Sequence, residues 1–258
     1  MENFFSQLPS PWELIQDSAS IVVISIFFIL MITEEIAPGR KLPHIKFWKF
    51  KGVIAFILYF FLSTYLPLIW GKYLEEYSIF DLRLLGDYWG SLVALLLYEL
   101  GVYIWHRTMH QSNLLWRIFH QMHHSAERVD TYGAFFFSPM DMIGFTLLGS
   151  LTMVWFAGFT PYASIYALYG ATFLAVFQHT NIKTPQWIGY IFQRPESHSL
   201  HHARGVHAYN YSDLPLFDII FNTFKNPKDF STKTGFYDGA SKKITKMILF
   251  KDIYLDRN

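Results

Sequence analysis

Cysteine is absent from all 258 residues. That excludes disulfides, thiolate metal sites, haem-thiolate chemistry and iron–sulfur clusters. Charge is sparse as well: 16% of residues are charged and the formal net charge is +1, so no global field favours nucleic acid. No Gly-x-Gly-x-x-Gly stretch occurs, and no nucleotide-binding loop is visible. A redox enzyme built on this chain would draw its electrons from another protein. The residues before the first apolar run include Glu2, Glu13 and Asp17 but no basic residue, which is the wrong charge for a secretory leader.

What the chain has in abundance is apolar surface. Hydrophobic residues make up 52% and aromatics 19%, with 26 phenylalanines. They gather into runs at 19–32 (extended to 37 with Glu34 and Glu35 in the headgroup region), 52–70, 86–105, 142–159 and 162–177. Each run approaches the ~20 residues that a helix needs to cross a bilayer. Only Thr160-Pro161 separates the last two, which read as a helical hairpin with Pro161 at its tip, either spanning fully or dipping in and returning. The expected fold is all-α: a polytopic membrane helical bundle of four to five spans, one membrane-embedded unit over residues 1–258.

The connections suggest an orientation. Residues 38–51 hold Arg40, Lys41, Lys46, Lys49 and Lys51 with no acid, whereas 71–85 mix Glu75, Glu76 and Asp81 with Lys72 and Arg83. The segment after His106 and the tail after His179 are also basic. The positive-inside tendency places these basic stretches and the C-terminus in the cytoplasm and the N-terminus outside. Ile244, Met247, Ile248, Lys251, Tyr254 and Leu255 recur at helical spacing beside Lys242, Lys243 and Lys246. They predict an amphipathic helix, lying on the bilayer or packed on the cytoplasmic cap.

The histidines carry the chemistry. Of the 11, only His44, in the basic connection, stands apart. His106-x-x-x-His110, His120-x-x-His123-His124 and His198-x-x-His201-His202 form three clusters, joined by His179 and His207. Residues i, i+3 and i+4 share one helical face, so each cluster aims its rings into one space. All fall on the expected cytoplasmic side, as a histidine-rich cap. One metal takes at most about six such ligands, so eight or nine convergent histidines point to two metals. Nitrogen donors suit iron, zinc, copper or nickel. The chain lacks His-Glu-x-x-His and any Glu-x-x-His, which disfavours a zincin site and the carboxylate-bridged di-iron site of soluble bundles. What remains is a histidine-rich two-metal centre at a membrane face, where two irons can activate dioxygen and the bilayer supplies apolar substrates. The competing class is a non-enzymatic membrane metal- or haem-binding protein.

Taken together, the three clusters resemble the histidine boxes of the fatty acid hydroxylase superfamily, which includes sterol desaturases. The resemblance runs from about residue 99 to 224. Glu99-x-x-x-Tyr103-x-x-His106-Arg107 looks like the family's entry to the first box. Asn210-Tyr211-Ser212 and Phe217-Asp218-x-x-Phe221-Asn222-Thr223 resemble its later segments, with Phe217, Ser212 and Asn222 in place of the commoner Trp and two Gly. The resemblance implies an integral-membrane, O2-dependent di-iron oxygenase that hydroxylates or desaturates a lipid C–H bond. It also implies a separate ferredoxin- or cytochrome b5-type electron donor. The eight box histidines and His179 carry over as iron ligands, and zinc could replace iron on overexpression. A further family histidine is Lys183 here, with Asn181 giving a His-x-Asn reading, so one metal is expected to have fewer histidines. His207 is expected as a tenth ligand or a hydrogen-bond partner of a ligand, or equally as a surface histidine. Glu99, within a span, is expected to orient a ligand ring by hydrogen bonding, or else to pair with Arg107 or Arg117. Asn210 is expected as a structural or ligand-orienting amide.

Overall fold

Helix α1 (Pro11–Gln16) starts at a reciprocal cap, in which the Glu13 amide donates to Ser10 Oγ and the Ser10 amide to Glu13. Asp17 then turns its carboxylate onto the amides of Ala19 and Ser20, starting helix α2 (Ser18–Ile36). Helix α3 (Trp48–Glu76) and helix α4 (Gly86–Gln111) follow, with the connecting turn Arg83–Leu85 leading into α4. Residues 113–124 form a composite helix α5, whose middle, Trp116–His120, is wound as a π-helix. Helix α6 (Pro139–Ser150) continues through π turns at Leu151–Phe156, and helix α7 (Pro161–His179) returns antiparallel to it. Short helices α8 (Pro195–His201), α9 (Pro215–Ile220) and α10 (Ile244–Ile248) complete the computed structural model, which describes residues 8–254. Among the described residues no strand forms beyond an isolated bridge between Ala203 and Thr234.

Among the described residues four helical stretches are long and apolar enough to cross a membrane: Ser18–Ile36, Trp48–Glu76, Arg83–Gln111 and Pro139–Phe156. The fifth apolar run is the 19-residue α7, made less apolar by Tyr162, Tyr166, Tyr169 and Gln178. Large apolar side chains such as Ile29, Ile36, Trp89 and Leu92 stay exposed along these helices, as expected of a surface facing lipid rather than water. The fold is thus the expected all-helical polytopic bundle.

The turn between α6 and α7 needs Gly158. Its φ is +60°, and a Cβ there would stand 2.3 Å from the Phe80 carbonyl oxygen. That close approach lets the amides of Ile79, Phe80 and Leu82 donate to the carbonyls of Trp155, Phe156 and Ala157. Thr160 caps α7 through the Ala163 amide, and its hydroxyl donates to Asp87 at the start of α4.

At the opposite end, the C-termini of α2, α4 and α7 meet the N-termini of α3 and α6. Glu34 is buried there rather than in the headgroup region. Its Oε2 accepts from the Thr131 amide and hydroxyl and from the Asn181 amide, at 2.7, 2.6 and 2.9 Å. Three donors on one oxygen offset the loss of water around a carboxylate. Glu35, on the exposed side of α2, pairs with Lys49. The Trp48 indole donates to Asp130, and Gly52 lies directly on the Tyr132 carbonyl.

The C-terminal helix is shorter than its periodicity predicts. α10 has five residues, and Phe250 then takes φ +57°. Met247 and Ile253 enter the core with Trp48, Met122 and Phe236, which draws the chain onto the histidine-bearing cap and breaks the helix. Ile248, Leu249 and Phe250 stay exposed, and Leu255 lies outside the described residues.

Candidate metal centre

The nine histidines separate into two groups. Ring nitrogens of His106, His110, His120, His124 and His201 lie within 4.8 Å of one another, and so do those of His123, His179, His198 and His202. The boxes are therefore shared between groups. His106 and His110, one turn apart on α4, serve the first. His120 and His124 join them, while the intervening His123 faces the second. On α8, His198 faces the second group and His201 the first, and His202, just after the helix, joins the second. The π turn at Trp116–His120 widens the helix just before the second box, a local geometry common where side chains must be re-aimed at a site.

The first group has a support for every ring. His106 Nδ1 donates to the Tyr211 carbonyl at 2.7 Å, His110 Nδ1 to the His207 carbonyl at 2.9 Å and His201 Nδ1 to the Tyr209 carbonyl at 2.7 Å. His120 Nδ1 donates to Asp141 Oδ2 at 2.8 Å. His124 Nδ1 lies 3.1 Å from His207 Nδ1, one of the two carrying the shared hydrogen. Committing Nδ1–H in this way leaves Nε2 as a bare lone pair, the form that binds metal. The Nε2 atoms of His110, His124 and His201 are buried with no partner.

In the second group only His179 has such support, its Nδ1 donating to Ala175 O at 2.6 Å. His123, His198 and His202 have buried Nδ1 atoms without partners, while their Nε2 atoms converge. Separations there are 3.0 Å for His123–His179, 2.9 Å for His179–His198 and 3.0 Å for His198–His202.

These spacings fit a metal. The Nε2 atoms of His106 and His120 are 2.9 Å apart, although both rings spend their hydrogen on Nδ1. Two lone pairs at that distance repel unless a positive charge lies between them, and about 2.9 Å separates neighbouring nitrogens bound ~2.1 Å from one ion. Burial, then neighbouring imidazoles, holds His120, His123, His124, His198, His201 and His202 well below the usual imidazole range, so their neutral forms are available.

The loop supplying three of the carbonyls is held in an unusual conformation. His207, Tyr209 and Asn210 have φ of +43°, +70° and +50°, which non-glycine residues adopt only under constraint. The Asn210 side chain fixes it, donating to Ser197 O and Lys225 O and accepting from the Lys225 amide. Asp218 accepts from the Tyr211 and Ser212 amides. Glu99 Oε2 accepts from Ser212 Oγ and from the Asp213 and Leu214 amides, at 2.9, 3.0 and 3.2 Å. Glu99 thus meets neither a histidine ring nor Arg107 nor Arg117 in these bonds. It holds the loop whose Tyr211 carbonyl holds His106. A relay from Arg107 to the Tyr103 hydroxyl, Thr223 and Asp218 braces the same loop. Asn222 has φ +59°, a conformation that explains why glycine is commoner there and why asparagine is tolerated.

The remaining sequence-predicted residues lie as follows. His207 is outside both donor groups, touching His124 through its ring and His110 through its carbonyl. Asn181 faces away from the histidines, its amide donating to Glu34 and its Nδ2 to Arg40 O. Lys183 pairs with Asp229 at the surface, and His44 is exposed. Asp141 escaped sequence reading, because an acid three residues after Ser138 reads as part of a helix start, and Ser138 does cap its amide. Gln178 and Asp213 also gave no signal. They line a cavity of about 60 Å³ against His106, His120, His123, His179 and His198. Burial raises the Asp213 carboxyl to about 7.

Fold and site together define an integral-membrane protein with a buried histidine centre compatible with iron. The fatty acid hydroxylase family model matches residues 91–223, and the chain belongs to that family. Among curated relatives, a very-long-chain aldehyde decarbonylase, GL1-9, of Oryza sativa subsp. japonica is 30% identical over 50% of this chain and 50% of its own. Sphinganine C4-monooxygenase 2 of Arabidopsis thaliana is 27% identical over 52% and 53%. The ornithine lipid hydroxylase OlsE of Rhizobium tropici is 27% identical over 58% and 46%. The chain thus spans about half the length of the curated relatives it matches. No solved structure matches it.

Proposed function

We propose that this protein is an O2-dependent lipid hydroxylase or desaturase whose nine histidines hold two non-haem irons. The observation that carries this reading is the division of the histidines into buried groups of five and four, with the first group's Nε2 lone pairs freed by bonds at Nδ1. Two of the relatives named above are lipid hydroxylases or monooxygenases.

Bound there, a pair of irons supplies the oxidising power to break a lipid C–H bond at the expense of dioxygen. Hydroxylation and desaturation each consume one O2, two electrons and two protons, and the electrons come from a separate ferredoxin- or cytochrome b5-type donor. The chain's own residues do the rest. His106, His110, His120, His124 and His201 bind one metal, and His123, His179, His198 and His202 the other. Asp141 and the carbonyls of residues 207, 209 and 211 orient the rings. His207 holds His124 rather than serving as a tenth ligand. Asn210 and Glu99 fix the loop that makes this possible, and Asn181 ties the end of α7 to α2.

Substrate reaches the site from the bilayer. A cavity of about 450 Å³ among α2, α3 and α7 shares Tyr59, Tyr98, Phe135 and Ala175 with the small cavity at the histidines. Its size and largely apolar lining suit one alkyl chain and exclude bulk water. The basic connections support a cytoplasmic histidine cap and C-terminus and an N-terminus outside, with residues 1–258 acting as one membrane-embedded unit.

The test is metal analysis of purified protein followed by reconstitution with lipid, reductant and ¹⁸O2. About two irons per chain, with lipid oxidation that requires both oxygen and reductant, is expected. A Soret band, or lipid oxidation without oxygen, overturns the assignment.

A further inference from the structure

The cavity at the histidines contains a polar group that nothing in the chain satisfies. Gln178 is 4% exposed and lines the cavity. Its Nε2 donates to Asp213 Oδ1 at 2.6 Å. That bond sets which way the amide faces, with the carboxyl oxygen accepting. Gln178 Oε1 is consequently turned away from the bond, buried and without a partner. Asp213 lies in the same lining. Gln178 Oε1 is therefore a buried acceptor next to the histidines that no described residue meets, with the Asp213 carboxyl beside it. Buried acceptors left unpaired are costly, and a native site retains them where a ligand completes them.

Away from this end the lining becomes apolar. It follows α7 back from Ala175 to Ile165 through the larger cavity. Three polar side chains at the far end are already engaged. Asp17 accepts from the Ala19 and Ser20 amides, and the Ser63 and Thr64 hydroxyls both donate to Phe60 O. The end at the histidines is the one that holds a buried side-chain oxygen without a partner, Gln178 Oε1.

We propose that Gln178 and Asp213 receive a hydrogen-bond donor, a hydroxyl or an ammonium, carried by a lipid whose alkyl chain lies in the larger cavity. The oxidised carbon is then close to the polar group, and the far end of the chain is out of reach of the metals. The choice of oxidised carbon rests on the reading of the histidines as a lipid-oxidation centre, but the binding preference can be measured without turnover.

The experiment uses the full chain in detergent with a tritiated long-chain 1-alcohol, displaced by the unlabelled alcohol, by the 1-amine and by the alkane of equal length, corrected for micelle partition. In the unsubstituted protein the alcohol and the amine should compete about tenfold better than the alkane. Asp213→Asn keeps the shape but removes the charge, and should weaken the amine about tenfold while changing the alcohol less. Asp213→Leu combined with Gln178→Leu should bring all three ligands within about threefold. Equal affinities for the three ligands in the unsubstituted protein would overturn the proposal whatever the variants do. A preference surviving in the double variant would overturn it too. A protein that shows the preference yet never oxidises lipid would refute the oxygenase reading and leave this site standing.

Discussion

The Nε2 atoms of His106 and His120 face each other at 2.9 Å, while Nδ1 of the first is held by a backbone carbonyl and Nδ1 of the second by Asp141. The two rings come from α4 and α5, and neither can donate to the other without breaking its own support. Their common orientation suits the metal proposed above, and it ties Asp141 to the same unit as His106 and His120.

Removing Asp141 should therefore weaken a metal it does not touch. Asp141→Ala frees the His120 ring, and partners of this kind are worth roughly 10–100-fold in metal affinity. Iron titration of stripped protein should show that loss at one of two sites. An unchanged titration would mean that His120 needs no orienting partner.

The two metals should differ in lability. Each ring in the first group has an Nδ1 contact, but in the second only His179 does. A chelator should remove about one metal per chain quickly and the other slowly, the roughly 10–100-fold affinity effect of such partners setting the scale. His198→Ala should abolish the fast phase and His201→Ala the slow one. A single phase in the unsubstituted protein would contradict the asymmetry.

Stability of the metal-free protein should fall in acid. The six histidines on α5, α8 and the residue that follows α8 are held well below the usual imidazole range, and His207 is lowered to about 4. Between about pH 6.5, where unfolded imidazoles titrate, and these lower values, the unfolded chain binds more protons than the folded one. Stability present above about 6.5 is thus lost as pH falls. The thermal midpoint in detergent should drop by several degrees from pH 7.5 to 5, and equally in His44→Ala, because His44 is exposed. A flat profile would exclude a buried neutral cluster.

Gly52→Ala should damage packing where α3 meets Tyr132. A Cβ at Gly52 would lie 2.2 Å from the Tyr132 carbonyl oxygen, and backbone cannot yield as a flexible side chain does. A cost of about 1–3 kcal/mol is expected, read as a lower thermal midpoint. Unaltered stability would show that the α3–Tyr132 contact can open.

The orientation can be labelled directly, because the chain has no cysteine of its own. Lys41→Cys lies before the start of α3 and Lys72→Cys in its last turns, near opposite ends of the helix. An impermeant thiol reagent should reach position 72 and not position 41 in intact cells. The reverse pattern would invert the topology.

Much of this protein was legible in its sequence because the signals are local. Apolar runs of bilayer length require helices wherever they occur, since lipid offers no partner to an unpaired backbone amide. Histidines at i, i+3 and i+4 share a helical face before any tertiary contact forms. The hairpin at Pro161 and the convergence of the three boxes with His179 follow from these rules. The tertiary structure alone decided how the rings divide into five and four. His123 and His124 are adjacent in sequence yet serve different groups, because helical neighbours diverge by ~100° and only packing settles what each direction meets. It also turned Glu99 onto the loop at 212–214, recruited Asp141 to His120 and left Gln178 Oε1 unpaired. Those outcomes depend on atoms brought together from separate helices, a pairing that no spacing along the chain encodes.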